Sequence, residues 1–285
     1  MRNETLLTFI VGAAILGACG SAWAQTGQTD NSADATVAAP AAPTTYDEPP
    51  AQSVSGLATD IKLYYTAPLR WNLGDWAWFG GALVAIGASH HYDSQVRTHF
   101  TKNLQPGQTI NSNDVQDLIP TVAVLGVTWA YSAWKHDADG QRETWAMVEA
   151  AGLSGVTALG MKYIARREGP DQTSDPNEWF KSGGNSFPSA HTTAAFAVGT
   201  VLAESGNDDY RWVRRFLGYG LGIATGYQRL NHNAHWLSDV VAGAALGAAS
   251  ARFAMNRTYR NEQTSGFMLV PVPGGAMLSY RVTLQ

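Results

Sequence analysis

Apolar residues gather in six segments with helical spacing, and polar stretches separate them. The segments cover residues 76–89, 118–134, 145–163, 192–203, 216–228 and 240–251. Many of them contain glycine, which permits neighbouring helices to approach closely. The pattern predicts an all-α fold in which six helices form a bundle.

The C-terminal residues follow a different pattern. Residues 266–273 and 276–284 alternate apolar and polar side chains around Pro273-Gly274-Gly275. Alternation on both sides of a glycine-containing turn is typical of two paired strands. We expect a short β-hairpin that is appended to the helices as a covering flap.

The start of the chain has the order of a secretory signal peptide. Arg2 precedes an apolar run from Leu6 to Leu16, and the small residues of Ala22-Trp23-Ala24 precede Gln25. A basic residue, an apolar run and a small-residue cleavage site follow one another in such peptides. The sequence therefore predicts cleavage after Ala24 and a periplasmic or secreted mature chain.

Cys19 provides an alternative for the same region. It is the sole cysteine, and Leu16-Gly17-Ala18-Cys19 resembles the lipobox of bacterial lipoproteins. In that alternative, Cys19 carries a lipid and anchors the protein to a membrane. With cleavage after Ala24, the mature chain has neither a disulfide nor thiol chemistry.

The amino-acid composition distinguishes a tether from the helical part of the chain. Residues 25–53 are rich in Ala, Thr, Pro, Asp and Gln, and they have too few large apolar side chains to offset the entropy of ordering. We interpret them as a disordered tether. The predicted organisation is a signal peptide over 1–24, a tether over 25–53, a helical domain over 54–260 and a hairpin extension over 261–285.

Charge and segment length restrict the partners. Hydrophobic residues make up 45% and charged residues 15% of the chain, against a typical charged share of about 25%, so an extensive core or a membrane-facing surface is expected. The net charge of -4 argues against nucleic acid. The uncharged runs are mostly 12 to 17 residues long, whereas a spanning helix needs about 20. A soluble or peripheral bundle is favoured over an integral one.

Two short segments carry candidate chemistry, Pro188-Ser189-Ala190-His191 and the stretch from Arg229 to Asp239. A helix that starts near Asn233 would place His235 and Asp239 on one face. The carboxylate could then accept the proton of one ring nitrogen and leave the other as a nucleophile, while His191 protonates a leaving group. The pattern predicts phosphoryl transfer through a phosphohistidine.

With residues 162–170, these segments resemble the three signature motifs of the type 2 phosphatidic acid phosphatase and vanadium haloperoxidase superfamily. The first motif is Lys, six residues, Arg, Pro; Lys162 and Pro170 fit it, but Gly169 holds the place of the arginine. The second, Pro-Ser-Gly-His, is matched with Ala190 in place of the glycine. The third, Arg, five residues, His, three residues, Asp, is matched in full.

The resemblance implies a role for each matched residue. His235 is the expected nucleophile, Asp239 its orienting partner and His191 the general acid. The expected phosphate ligands are Lys162, Ser189 and Arg229. We add the backbone amide of Ala190, and Arg167, which precedes Gly169 by two residues, as the replacement for the missing arginine.

The predicted function is an envelope phosphatase that needs no metal or cofactor and hydrolyses either lipid phosphates or soluble phosphomonoesters, with peripheral membrane contact. Two alternatives remain at this point. In one, the site holds vanadate on His235 as a haloperoxidase cofactor; in the other, the chain is a non-catalytic phosphate-binding relative. In the phosphatase, vanadate would act as an inhibitor. We interpret His90, His91, Asp93 and His99 as a solvated loop rather than a metal site.

Overall fold

The structure, a computed structural model, describes residues 54–102, 114–206, 210–260, 266–272 and 275–281. The predicted signal peptide, the alternative anchor at Cys19 and the predicted tether over 25–53 lie outside these residues.

Eight α-helices lie in the described residues. They are α1 Val54–Tyr65, α2 Leu73–His91, α3 Asp93–Thr101, α4 Asp114–Lys135, α5 Ala138–Ala165, α6 Ala190–Glu204, α7 Arg211–Asn231 and α8 Leu237–Arg260, with a 3-10 turn at Ala67–Arg70. Each of the six predicted segments lies inside a helix, namely α2 or one of α4 to α8. The predicted helical character is thus confirmed for the described part of 54–260, whereas the division into domains stays a prediction. Helices α1 and α3 were not predicted.

Helix termini place the motif residues. Helix α5 ends at Ala165, and Arg166 follows it in the left-handed conformation with φ of 43°, which turns the chain away from the helix axis. Ser189 caps α6, because its side chain accepts a hydrogen bond from the backbone of Thr192. The predicted first motif therefore begins in the last turn of α5, and the predicted second motif forms the start of α6.

Helix α6 lies at the centre of the bundle and packs against α5, α7 and α8. Its backbone meets that of its neighbours with little side chain between them. A Cβ atom at Gly199 would lie 2.2 Å from the carbonyl oxygen of Gly218 in α7, and one at Gly247 in α8 would lie 2.3 Å from that of Thr193. Glycine at these crossings allows the close approach that the sequence predicted.

The apolar composition is divided between a core of small side chains and an apolar surface. Alanine and valine supply most of the buried apolar residues in the described part of the chain, with Phe196 and Trp236 among the few large ones. Large apolar side chains such as Trp129, Trp134 and Trp212 are instead exposed. Among the described helices, none combines the length and the apolar character that crossing a membrane requires.

The two C-terminal strands are Gly266–Val272 and Gly275–Arg281. They pair antiparallel, with Gly266 opposite Arg281 and Val272 opposite Gly275. The role of this hairpin as a flap over the helices stays a prediction.

We predict that Gly247→Ala lowers the free energy of unfolding by about 1–3 kcal/mol, because backbone atoms of α6 occupy the space of the added methyl group. Gly152→Ala in α5 is the matched control, since a Cβ there meets nothing within 4 Å, and alanine should stabilise the helix by about 0.5–1 kcal/mol. Urea unfolding followed by circular dichroism measures both. Equal effects of the two substitutions would contradict the close crossing.

Candidate active site

His235 precedes α8 rather than lying within it. The helix begins at Leu237, so the expectation of a helix from near Asn233 is wrong. Asn233 has a φ of 52°, and the carboxylate of Asp239 accepts a hydrogen bond from the backbone of Trp236 at 3.0 Å, which together fix a turn before the helix. Nδ1 of His235 lies 3.7 Å from Oδ2 of Asp239, so the predicted pair is close but not in direct hydrogen-bond contact.

Ser186 lies between these two side chains and was not predicted. Its hydroxyl donates to Oδ2 of Asp239, and its Oγ lies 3.3 Å from Nδ1 of His235. The backbone of Ser186 is held in place as well, since its N–H donates to the carbonyl of Arg167 at 2.9 Å. The imidazole therefore contacts the carboxylate through a serine hydroxyl.

The structure contradicts the prediction that Arg167 binds phosphate. Its side chain is fully buried, and its guanidinium has protein partners for all five N–H groups. Nη1 donates to Asp239 at 2.6 Å and to Ser238 at 2.7 Å. Nη2 donates to Asp93 at 2.7 Å and to the carbonyl of Pro176 at 2.8 Å, and Nε donates to the same carbonyl at 3.1 Å. No donor remains for a phosphate.

Asp93 is buried, so the interpretation of its surroundings as a solvated loop is wrong. Besides Arg167, its carboxylate accepts from the backbone of Ser238 at 2.9 Å and from the hydroxyl of Ser238 at 2.6 Å. His90 contacts the same carboxylate at 2.8 Å through Nδ1. Arg167 thus lies between two buried carboxylates, Asp93 and Asp239. The described residues contain no group of three or more His, Cys, Asp or Glu arranged to hold a metal ion.

Lys162 and Arg229 bring positive charge to His235. The ammonium group of Lys162 donates to the carbonyls of Asn185 and Ser186. Arg229 is buried and pairs with the carboxylate of Asp117 in α4, which also contacts Gln228 and His232. Asp117 was not predicted either.

Burial is the main cause that lowers the pKa of His235 to about 4. The charges of Lys162 and Arg229 also lower it, while Asp239 opposes them. The imidazole is therefore neutral near pH 7 and retains a lone pair on one nitrogen. For Asp239 itself, burial raises the pKa, but the nearby His235, the charge of Arg167 and the hydrogen bond from Ser186 outweigh burial, so the pKa falls below its ordinary value. The carboxylate is ionised.

The second motif lies against the third. The backbone N–H of Ser189 donates to the carbonyl of Asp239 at 3.0 Å, and the Ser189 hydroxyl accepts from that of Thr192 at 3.0 Å. Ala190 and His191 are the first two residues of α6, where helical amides have no partner within the helix and favour anions. Gly169 also lies beside this site, since a Cβ there would be 3.5 Å from the carbonyl of Ala234.

Comparison with known proteins agrees with the three motifs. Residues 143–263 match the model of the PAP2 superfamily. Over 141 residues the chain is 30% identical to the lipid A 1-phosphatase of Porphyromonas gingivalis. The aligned region covers 47% of this chain and 28% of that protein. The crystal structure of Aquifex aeolicus LpxE gives a TM-score of 0.36 at 16% identity, over 57% of this chain and 94% of that one.

The matched residues, 143–263, contain all three motifs. The family resemblance predicted from the sequence is confirmed. The chain spans less than a third of the length of its Porphyromonas relative.

We predict that Arg167→Ala lowers the free energy of unfolding by about 3–5 kcal/mol, because it leaves two buried carboxylates without their cation. Arg166→Ala is the matched control; this neighbouring side chain is exposed and should matter by no more than about 0.5 kcal/mol. Chemical unfolding of both variants measures the difference. A stable Arg167→Ala protein that loses only phosphate affinity would restore the role predicted from the sequence.

We predict that the free energy of unfolding depends on pH through His235. The imidazole of His235 has a pKa of about 4 in the folded chain, against an ordinary value of 6.5. Between these values the unfolded chain binds a proton that the folded chain does not, so stability falls as pH falls, by at most about 1.4 kcal/mol per pH unit. His235→Gln should lack this part of the slope. Urea unfolding at pH 7.5, 6 and 5 tests it, and identical slopes would show that His235 titrates normally.

Proposed function

We propose that this protein is a phosphatase that hydrolyses phosphomonoesters through a phosphohistidine on His235 and requires no metal. One observation carries the proposal: a buried, neutral imidazole with the ionised Asp239 behind it and the charges of Lys162 and Arg229 around it. A neutral imidazole is the nucleophilic form. Cations at the same place suit a group that carries negative charge.

The phosphate would bind where the three motifs meet. Lys162 and Arg229 supply positive charge, and the first amides of α6, at Ala190 and His191, supply further donors. The hydroxyl of Ser189 has a proton of its own to donate, since it accepts the hydrogen bonds that reach it from Thr192. These groups would neutralise the phosphoryl oxygens as the bond to the leaving group loosens.

The reaction would proceed in two steps. The free ring nitrogen of His235 attacks phosphorus, and the bond from phosphorus to the ester oxygen breaks while His191 gives that oxygen its proton. His191, now neutral, then takes a proton from a water molecule that attacks the phosphohistidine. Inorganic phosphate leaves, and both imidazoles return to their first state. Asp239 and Ser186 stabilise the positive charge that His235 carries between the steps.

A phosphorylated lipid is the proposed substrate class. The Porphyromonas relative is a lipid A 1-phosphatase by name, and exposed aromatic side chains such as Trp129 and Trp134 offer a surface for peripheral membrane contact. An exported, periplasmic location after cleavage at Ala24, a tether over 25–53 and a six-helix bundle of the family's kind complete the proposal. Soluble phosphomonoesters remain the comparison substrates in its test.

We predict that His235→Ala abolishes phosphate release, because the covalent route is lost. His191→Ala should slow release by about 10²–10⁴-fold, and with p-nitrophenyl phosphate, whose leaving group needs no proton, a phosphoenzyme should accumulate. His91→Ala, an exposed histidine, is the control and should behave as the wild type. Phosphate release and acid-labile, base-stable labelling with ³²P measure these effects. Near-normal turnover of His235→Ala would contradict the mechanism.

The same assay separates the alternatives. A phosphatase of this kind releases phosphate in the presence of a chelator and is inhibited by vanadate. Halide oxidation that depends on vanadate would instead identify a haloperoxidase. Phosphate binding without release from any lipid or soluble ester would identify a non-catalytic relative.

A further inference from the structure

The hydroxyl of Ser186 occupies the space between the imidazole of His235 and the carboxylate of Asp239. We infer that Ser186 is a positioning residue that holds the proton of His235 on Nδ1 and so leaves Nε2 as the nucleophilic nitrogen. The inference deepens the proposed function, on which its kinetic consequence rests, but the position of the proton is measurable without any turnover.

The argument begins with the single proton of the serine hydroxyl. Oγ of Ser186 is within hydrogen-bond reach of Oδ2 of Asp239 and lies 3.3 Å from Nδ1 of His235. An ionised carboxylate only accepts hydrogen bonds, so the hydroxyl proton must point to Asp239. Oγ then faces the imidazole with a lone pair. Nδ1 must carry a proton to meet that lone pair favourably.

Asp239 does not perform this function directly. The distance of 3.7 Å from Oδ2 to Nδ1 of His235 exceeds that of a hydrogen bond. The carboxylate has other partners as well: Oδ2 accepts from the backbone of Trp236 at 3.0 Å, and Oδ1 accepts from Arg167 at 2.6 Å. The hydrogen-bonded connection between this carboxylate and the ring therefore runs through Ser186.

Ser186 is fixed firmly enough for this purpose. Its side chain is buried, its N–H donates to the carbonyl of Arg167 at 2.9 Å, and its own carbonyl accepts from the ammonium group of Lys162 at 3.4 Å. Gly184, two residues earlier, lies so close to the backbone of Arg166 that a Cβ would be 2.3 Å from its carbonyl oxygen. One short segment thus aligns the serine with both the imidazole and a proposed phosphate ligand.

The proton count also suits the reaction. When Nε2 of His235 bonds to phosphorus, the ring becomes a cation that keeps its proton on Nδ1. That proton still donates to Ser186, and the hydroxyl of Ser186 still donates to Asp239. No proton has to leave the ring, and the chain of hydrogen bonds strengthens as the charge appears.

The test uses the full chain labelled with ¹⁵N-histidine, at pH 7.5. Long-range ¹H–¹⁵N spectra distinguish a protonated ring nitrogen from a bare one, and the spectrum of His235→Gln identifies the signals of His235. We expect a protonated Nδ1 and a bare Nε2 in the wild type. Ser186→Ala should shift His235 toward the other tautomer, Ser186→Thr should retain the wild-type pattern, and Ser94→Ala, an exposed serine, should change nothing.

Kinetics with p-nitrophenyl phosphate supply the second measurement. Ser186→Ala should lower kcat by about tenfold to a hundredfold with little change in KM, the size expected for a lost hydrogen bond to a charged transition state. Ser186→Thr should restore most of it. If neither the wild type nor any variant has activity, the proposed function fails, but the spectra still decide the inference.

Two results would overturn the inference. The first is a wild-type His235 that carries its proton on Nε2, which needs no variant to be observed. The second is a folded Ser186→Ala protein that keeps the proton on Nδ1, since Asp239 would then suffice alone.

Discussion

The buried guanidinium of Arg167 is the interaction on which the rest of the site depends. It joins Asp93 at the start of α3 to Asp239 at the start of α8, although the chain places these carboxylates far apart. Leaving two buried carboxylates without this cation would cost about 3–5 kcal/mol. With Arg167 between them, the turn that carries His235 and the loop that carries Ser186 are held against the same charged centre.

This centre also has electrostatic consequences for the imidazole. The ionised carboxylate of Asp239 lies on one side of His235, whereas Lys162 and Arg229 are the cations that act on the imidazole. Burial keeps the ring neutral in the resting state. A ring that becomes cationic on bonding to phosphorus would have negative charge already oriented behind it, and the phosphoryl group would have positive charge before it.

Local patterns in the sequence predicted much of this, and distant contacts explain what was missed. Helical periodicity identified six helices, and fixed spacing identified His235 and Asp239. The partners Asp93, Asp117 and Ser186 meet the motifs only through folding, and no periodicity marks them. Arg167 was predicted to bind phosphate, but its guanidinium is buried between two carboxylates. The sequence does not show that the chain turns at Arg166, which is in the left-handed conformation.

The glycine crossings of α6 set a limit on how this protein can vary. Where backbone meets backbone, as at Gly199 with Gly218 and at Gly247 with Thr193, no rotamer can adjust to a neighbour's change. A shift of α6 by one residue along α7 or α8 would place a side chain where only hydrogen now fits. Helix α6 therefore packs in one register, and this register also fixes the position of Ser189 and His191 at its start. Substitutions should accumulate on the apolar outer surface and be rare at the glycine crossings.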